Sequence, residues 1–165
     1  NEICTATGQI YVDMIRYALD DQATRRAVFE YGFERAKELG ADSPLFSCFE
    51  LASREPPTNY HQRAGWVLIA FHNALYHLAK ETPFPLAISE TILAGGDRDT
   101  NAAICGGLLG AVDGLAAIPE VWRTSTLTSR PAKIGGKALE RPASCWPVDA
   151  LHIAEQLVAL RSGDD

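Results

Sequence analysis

Apolar side chains recur along the chain at spacings of three and four, the period of an α-helix buried on one face. Ile10, Met14, Ile15, Ala18 and Leu19 make the first stripe. Val28, Phe29, Gly32, Phe33, Ala36 and Leu39 make the second, which Asp21 is placed to cap and Gly40 to end. From Ala41 to Asn59 the pattern is interrupted by Pro44, Pro56 and Pro57, so this stretch reads as a long irregular connection holding about one helical turn. Asn59 is placed to cap a long helix whose face is Ala64, Val67, Leu68, Phe71, Leu75 and Leu78. Pro83 and Pro85 break the pattern, a short helix follows through Ile88 and Ile92, and Gly95-Gly96 end it. Asp97 opens a further helix running to about Ala117, and Pro119 starts a short helical turn containing Trp122. The segment from Leu127 to Pro147, rich in Ser, Arg, Pro, Gly and Lys, reads as an extended loop before a last helix from about Val148 to Leu160. No useful strand alternation or hairpin signal interrupts this series, so the expected fold class is all-α.

Composition and charge remove several function classes. Of 165 residues, 47% are apolar and 22% charged, enough apolar surface to offset the ordering entropy of a folded domain. The net charge is −6 and no basic run is present, which excludes nucleic-acid binding by bulk charge. The most apolar stretch, Ala102 to Val112, is shorter than the ~20 residues that cross a bilayer. No membrane association is expected, and no secretion signal is visible. Cys4, Cys48, Cys105 and Cys145 are far apart with no C-x-x-C pair, which points to reduced thiols in a cytoplasmic protein and away from zinc or disulfides.

Gly106, Gly110 and Gly114 recur every four residues in the helix after Asp97. Each glycine costs a helix about 1 kcal/mol relative to alanine. The stripe therefore predicts the close approach of another helix, and a leucine at Gly110 is expected to overpack it.

The segment Gly95-Gly96-Asp97-Arg98-Asp99-Thr100-Asn101 carries the chemistry. Two carboxylates and a hydroxyl fall within four residues at a loop-to-helix junction, where their oxygens can converge on a hard cation. The plain alternative is an Asp97 N-cap followed by a first-turn acid. It leaves the preceding Gly-Gly unexplained, since glycines there let the backbone turn sharply and a ligand approach. An EF-hand fails, because Ala102 and Leu108 stand where Gly and Glu are needed. An aspartyl-phosphate phosphotransferase fails at Asn101 and lacks its parallel sheet. A phosphate loop at Gly135-Gly136-Lys137 fails at Pro131 and Ala138. His61, His72, His77 and His152 show no metal spacing and read as solvated or satisfied, and no Ser-His-Asp or Cys-His set is suggested. Phe29, Tyr31, Phe71 and Tyr76 are core candidates; Arg98 reads as exposed, and Asn101 as either orienting a carboxylate or sitting in the first helical turn.

Read as GGDRDTNAAICGGLLGAVDG, Gly95 to Gly114 closely resembles the signature of the ADP-ribosylglycohydrolase family, GGD-x-D-T before an Ala- and Gly-rich helix. Gly65-Trp66-Val67 is similar to the family's G-Y-V helix start, and Ile118-Pro119 with Trp122 to its I-P-x-x-W element. The resemblance implies a compact all-α globule with a binuclear Mg²⁺ or Mn²⁺ centre. Asp97, Asp99 and Thr100 are its implied metal ligands, with Asp97 and Asp99 the catalytic acids. Gly95, Gly96 and Trp66 are the implied substrate-binding residues, Trp66 by stacking or, equally, as a core tryptophan. The implied reaction is hydrolysis of the glycosidic bond joining ADP-ribose to an acceptor such as a protein arginine. The alternative is a non-catalytic member that binds ADP-ribose or a partner protein.

The family's Thr-Asp-Asp-Thr and G-N-G motifs do not occur in these 165 residues, whose Asp-Asp pairs are Asp20-Asp21 and Asp164-Asp165. Residues 1–165 therefore resemble the C-terminal part of a single ADP-ribosylglycohydrolase-like domain. The expectation is that an N-terminal half, as a possible second chain, completes the ligand set and covers the exposed apolar face, and that this chain alone is inactive.

Overall fold

A computed structural model describes residues 1–21, 23–40, 42–130 and 141–162 of the chain. The Gly135-Gly136-Lys137 segment, the middle of the expected 127–147 loop and the Asp164-Asp165 tail lie outside the described residues. Eight α-helices and no strand are found among those described, as the periodicity predicts. They fall into two compact units, residues 1–118 and 119–165.

The first unit contains α1 (Glu2–Asp21), α2 (Arg25–Lys37), α3 (Pro44–Ala52), α4 (Val67–Ala79), α5 (Phe84–Ala94) and α6 (Arg98–Asp113). Helix α4 is its axis and packs against α1, α2, α3 and α6. Eight of its thirteen residues, Ile69 to Leu78 with gaps at His72 and Tyr76, are buried, which is what a helix apolar on most sides requires. Phe29, Phe33, Phe46, Phe49 and Phe71 form one chain of ring contacts around it, with centroids 5.2–5.8 Å apart. The second unit holds α7 (Glu120–Leu127) and α8 (Ala150–Ser162), joined by two short 3₁₀ turns among the described residues. There the Arg130 guanidinium lies 5.4 Å from the Trp146 ring, whose indole N–H donates to the Arg141 carbonyl.

Four boundaries differ from the sequence pattern, each for a local reason. Thr24, not Asp21, caps α2, its hydroxyl accepting from the Ala27 amide. The stretch expected to be irregular holds nine-residue α3: Ser43 caps it and Pro44 stands in its first turn, where a missing N–H costs nothing. Helix α4 begins at Val67 and not after Asn59, because Gly65 adopts φ 77° and breaks the helical path; Ala64 lies outside it. Helix α6 stops at Asp113, and Gly114 caps it with φ 76°.

The glycine stripe is half borne out. A Cβ on Gly106 would lie 3.3 Å from Ile88, and one on Gly110 3.9 Å from Phe84, so α5 is the helix that approaches. The tighter position is Gly107, where a Cβ would meet the Tyr11 hydroxyl at 2.6 Å. That hydroxyl donates to the Ile104 carbonyl and ties α1 to α6.

His77 is a buried exception among the histidines. Burial, helped by the Arg25 charge, pushes its imidazole down to about 4. Nδ1 has no hydrogen-bond partner, and the nearest acid, Glu90, is 3.8 Å away. The unfolded chain, whose histidines titrate near about 6.5, binds more protons than the folded one between those pH values. Stability is therefore fully present above about pH 6.5 and falls as pH drops toward the folded value. Unfolding free energies from urea titrations at pH 7 and pH 5 are expected to differ by roughly 2 kcal/mol on this residue's account. His77→Gln should flatten most of that slope; an unchanged slope would place the linkage elsewhere.

Candidate functional site

The two acids sit where α5 hands over to α6. Gly95 has φ 87° and ψ −157°, and Gly96 has φ 65°, backbone conformations that side chains strain against. The room left by their missing side chains is already taken. A Cβ on Gly95 would enter the His61 ring, and one on Gly96 would enter the Tyr60 carbonyl. The pair thus lets the 60–61 segment lie directly on the junction, and its backbone turn delivers Asp97 and Asp99 to the start of α6.

Asp97 occupies the N-cap position of α6 at φ −82° and ψ 74°, yet its side chain makes no capping hydrogen bond. Its carboxylate faces Gly65 instead, 3.9 Å from where a Cβ on that glycine would stand. The neighbouring Asp97 side chain, and then the Thr100 amide donating at 3.1 Å, hold the exposed Asp99 carboxyl below the usual carboxylate range. Two carboxyls side by side at the positive end of a helix form a negative focus that suits a divalent cation. Thr100 is exposed beside them. Asn101 faces inward, 2% exposed, with its side-chain nitrogen unpartnered. Arg98 is exposed, as expected.

Trp66 adjoins this turn through its chain neighbour Gly65. It is half-buried at the N-cap of α4, next to Gly65, where a Cβ would lie 3.9 Å from an Asp97 carboxylate oxygen. With Arg63, Ile69 and His72 it lines a groove of about 490 Å³ between α3 and α4. The structure therefore sets Gly65 against Asp97, with Asp99 on the same turn, while Trp66 lines the α3–α4 groove, whose lining includes neither acid.

The donor set fits a hard cation in kind, being two carboxylates and a hydroxyl. It falls short in number: among the described residues no three His, Cys, Asp or Glu side chains gather into a metal-holding cluster. Tyr60, His61 and Gly65 were missed from the sequence. Only Gly65 carried a signal, as the glycine before the motif tryptophan.

Comparison with known proteins gives one match. The family model described as ADP-ribosylglycohydrolase covers residues 1–163. No curated protein and no solved structure matches the chain.

Proposed function

The chain belongs to the ADP-ribosylglycohydrolase family, and on that premise we propose that it serves the metal-dependent hydrolysis of a glycosidic bond between ADP-ribose and an acceptor such as a protein arginine. The observation that carries this reading is the Asp97 carboxyl, which leaves the cap of α6 unmade and faces Gly65. A residue kept only as a cap would bond the α6 amides.

Asp97, Asp99 and Thr100 are this chain's share of the ligands for two Mg²⁺ or Mn²⁺ ions. When bound, such ions orient substrate and water and lower the water's pKa. Mg²⁺ keeps its water unless offered a nearly complete octahedron, so a second segment or chain bearing Thr-Asp-Asp supplies the remaining ligands. Trp66 offers an aromatic face in the α3–α4 groove for the nucleoside, and Gly65 lets substrate come close to Asp97. No helix among those described is long and apolar enough to cross a membrane, and four free thiols fit a reducing cytoplasm.

In the active assembly, Asp99→Asn is expected to lower turnover of ADP-ribosyl-arginine by about 100-fold or more, since it removes a metal ligand. Asp99 is exposed, so melting should move by less than about 1 kcal/mol. Unchanged turnover with normal melting would make the acid structural. Tight ADP-ribose binding with no turnover in the unaltered assembly would select the non-catalytic alternative.

A further inference from the structure

A chain of buried polar side chains runs through the contact of α4 with its neighbours. The Tyr60 hydroxyl donates to Asn73 Oδ1 at 2.7 Å, and Asn73 Nδ2 donates to Thr91 Oγ1 at 2.8 Å. The Thr91 hydroxyl donates in turn to the Ala87 carbonyl at 2.8 Å. Every donor in this chain points the same way, from Tyr60 through Asn73 and Thr91 to the α5 backbone. Asn73 and Thr91 are fully buried and Tyr60 is 9% exposed.

Apolar residues of the same shape could fill this space at little cost in stability, so burial alone does not call for the polar chain. What it adds is direction. Its two ends both bear on the candidate site. The Tyr60 carbonyl lies against Gly96. Thr91 stands on the last turn of α5, four residues before Gly95. Asn73, on the central helix, holds both ends in register.

We propose that Tyr60, Asn73 and Thr91 form a buried strut that sets the geometry of the 95–100 turn, and that all three are positioning residues for Asp97 and Asp99. The proposal rests on the assignment of that turn as the site. Its test reads the turn directly and needs no metal or substrate.

Backbone ¹⁵N relaxation of the whole chain gives order parameters for residues 95–100. In the unaltered chain they should lie near the rigid value of about 0.85. Thr91→Val keeps the shape and removes the hydroxyl, and Tyr60→Phe removes the first donor. Each is expected to drop the turn below about 0.6 while α1 and α2 stay rigid. Thr91→Ser, which restores the hydroxyl, should keep the turn rigid. Val28→Ala, a core truncation in α2, lowers stability without touching the strut and should leave the turn unchanged. A turn that stays rigid in both strut variants, or that loosens equally in Val28→Ala, would overturn the proposal. Mn²⁺ added to the unaltered chain tests the metal assignment separately, so the two failures are told apart.

Discussion

Replacing Gly96 with alanine is expected to unsettle the first unit more than any other single-methyl change. The substitution meets two independent costs. At φ 65° an L-residue loses about 1–2 kcal/mol to its own backbone. The new Cβ would also enter the Tyr60 carbonyl, a main-chain atom that cannot swing aside as a side chain can. Overpacking of that kind adds about 1–3 kcal/mol. The sum, about 2–5 kcal/mol, should lower the melting temperature by roughly 5–20 °C. Gly40 supplies the control, because it has φ 94° but open space around it. Gly40→Ala should show the backbone cost alone, about 1–2 kcal/mol. Equal losses at the two positions would mean that the 60–61 segment does not rest on Gly96.

Arg25→Ala should be comparably severe, through charge instead of sterics. The Arg25 guanidinium makes two hydrogen bonds to the Asp113 carboxylate and one to the Thr82 carbonyl at 2.7 Å, with the His77 carbonyl at 3.3 Å. It thereby ties α2 to the end of α4, the turn before α5 and the end of α6. Both partners are mostly buried, with side chains 12% and 17% exposed. Truncation leaves the Asp113 carboxylate and two carbonyls without their donor, a loss of about 3–5 kcal/mol. The pair need not be stabilising overall, since a buried ion pair often trades evenly against apolar residues. Arg25→Met with Asp113→Leu should therefore regain most of what Arg25→Ala loses. Chemical denaturation of the three variants decides this, and a double variant no better than the single one would show that the carbonyl bonds dominate.

How much was legible in the sequence follows from how local each signal is. The α5–α6 junction could be read because Gly-Gly, two acids and a small-residue helix lie within twenty consecutive positions. Helix α3 was passed over because Pro44 looked like a breaker, although Ser43-Pro44 is a helix start and Leu45, Cys48, Phe49 and Ala52 keep the helical period. The capping question at Asp97 could not be closed from spacing, because a capping and a non-capping aspartate have the same neighbours in sequence. It closes in the structure, where the Asp97 side chain makes no bond to the α6 amides. What Gly95 and Gly96 accommodate was also out of reach, since Tyr60 and His61 arrive from thirty-five residues away in sequence. Nor does any pattern announce Asn73, a polar residue on an otherwise apolar helix, until its two partners are placed around it.

The central claim is that Asp97, Asp99 and Thr100 bind a divalent cation. It is tested most directly by adding substoichiometric Mn²⁺ to the ¹⁵N-labelled chain and mapping paramagnetic broadening, which detects even the weak binding expected of a partial ligand set. Broadening should centre on residues 95–101 and on Gly65, which lies beside the Asp97 carboxylate, and it should vanish when Asp97→Asn and Asp99→Asn are combined. Broadening spread evenly over the acidic surface, or persisting at the turn in the double variant, would contradict the claim.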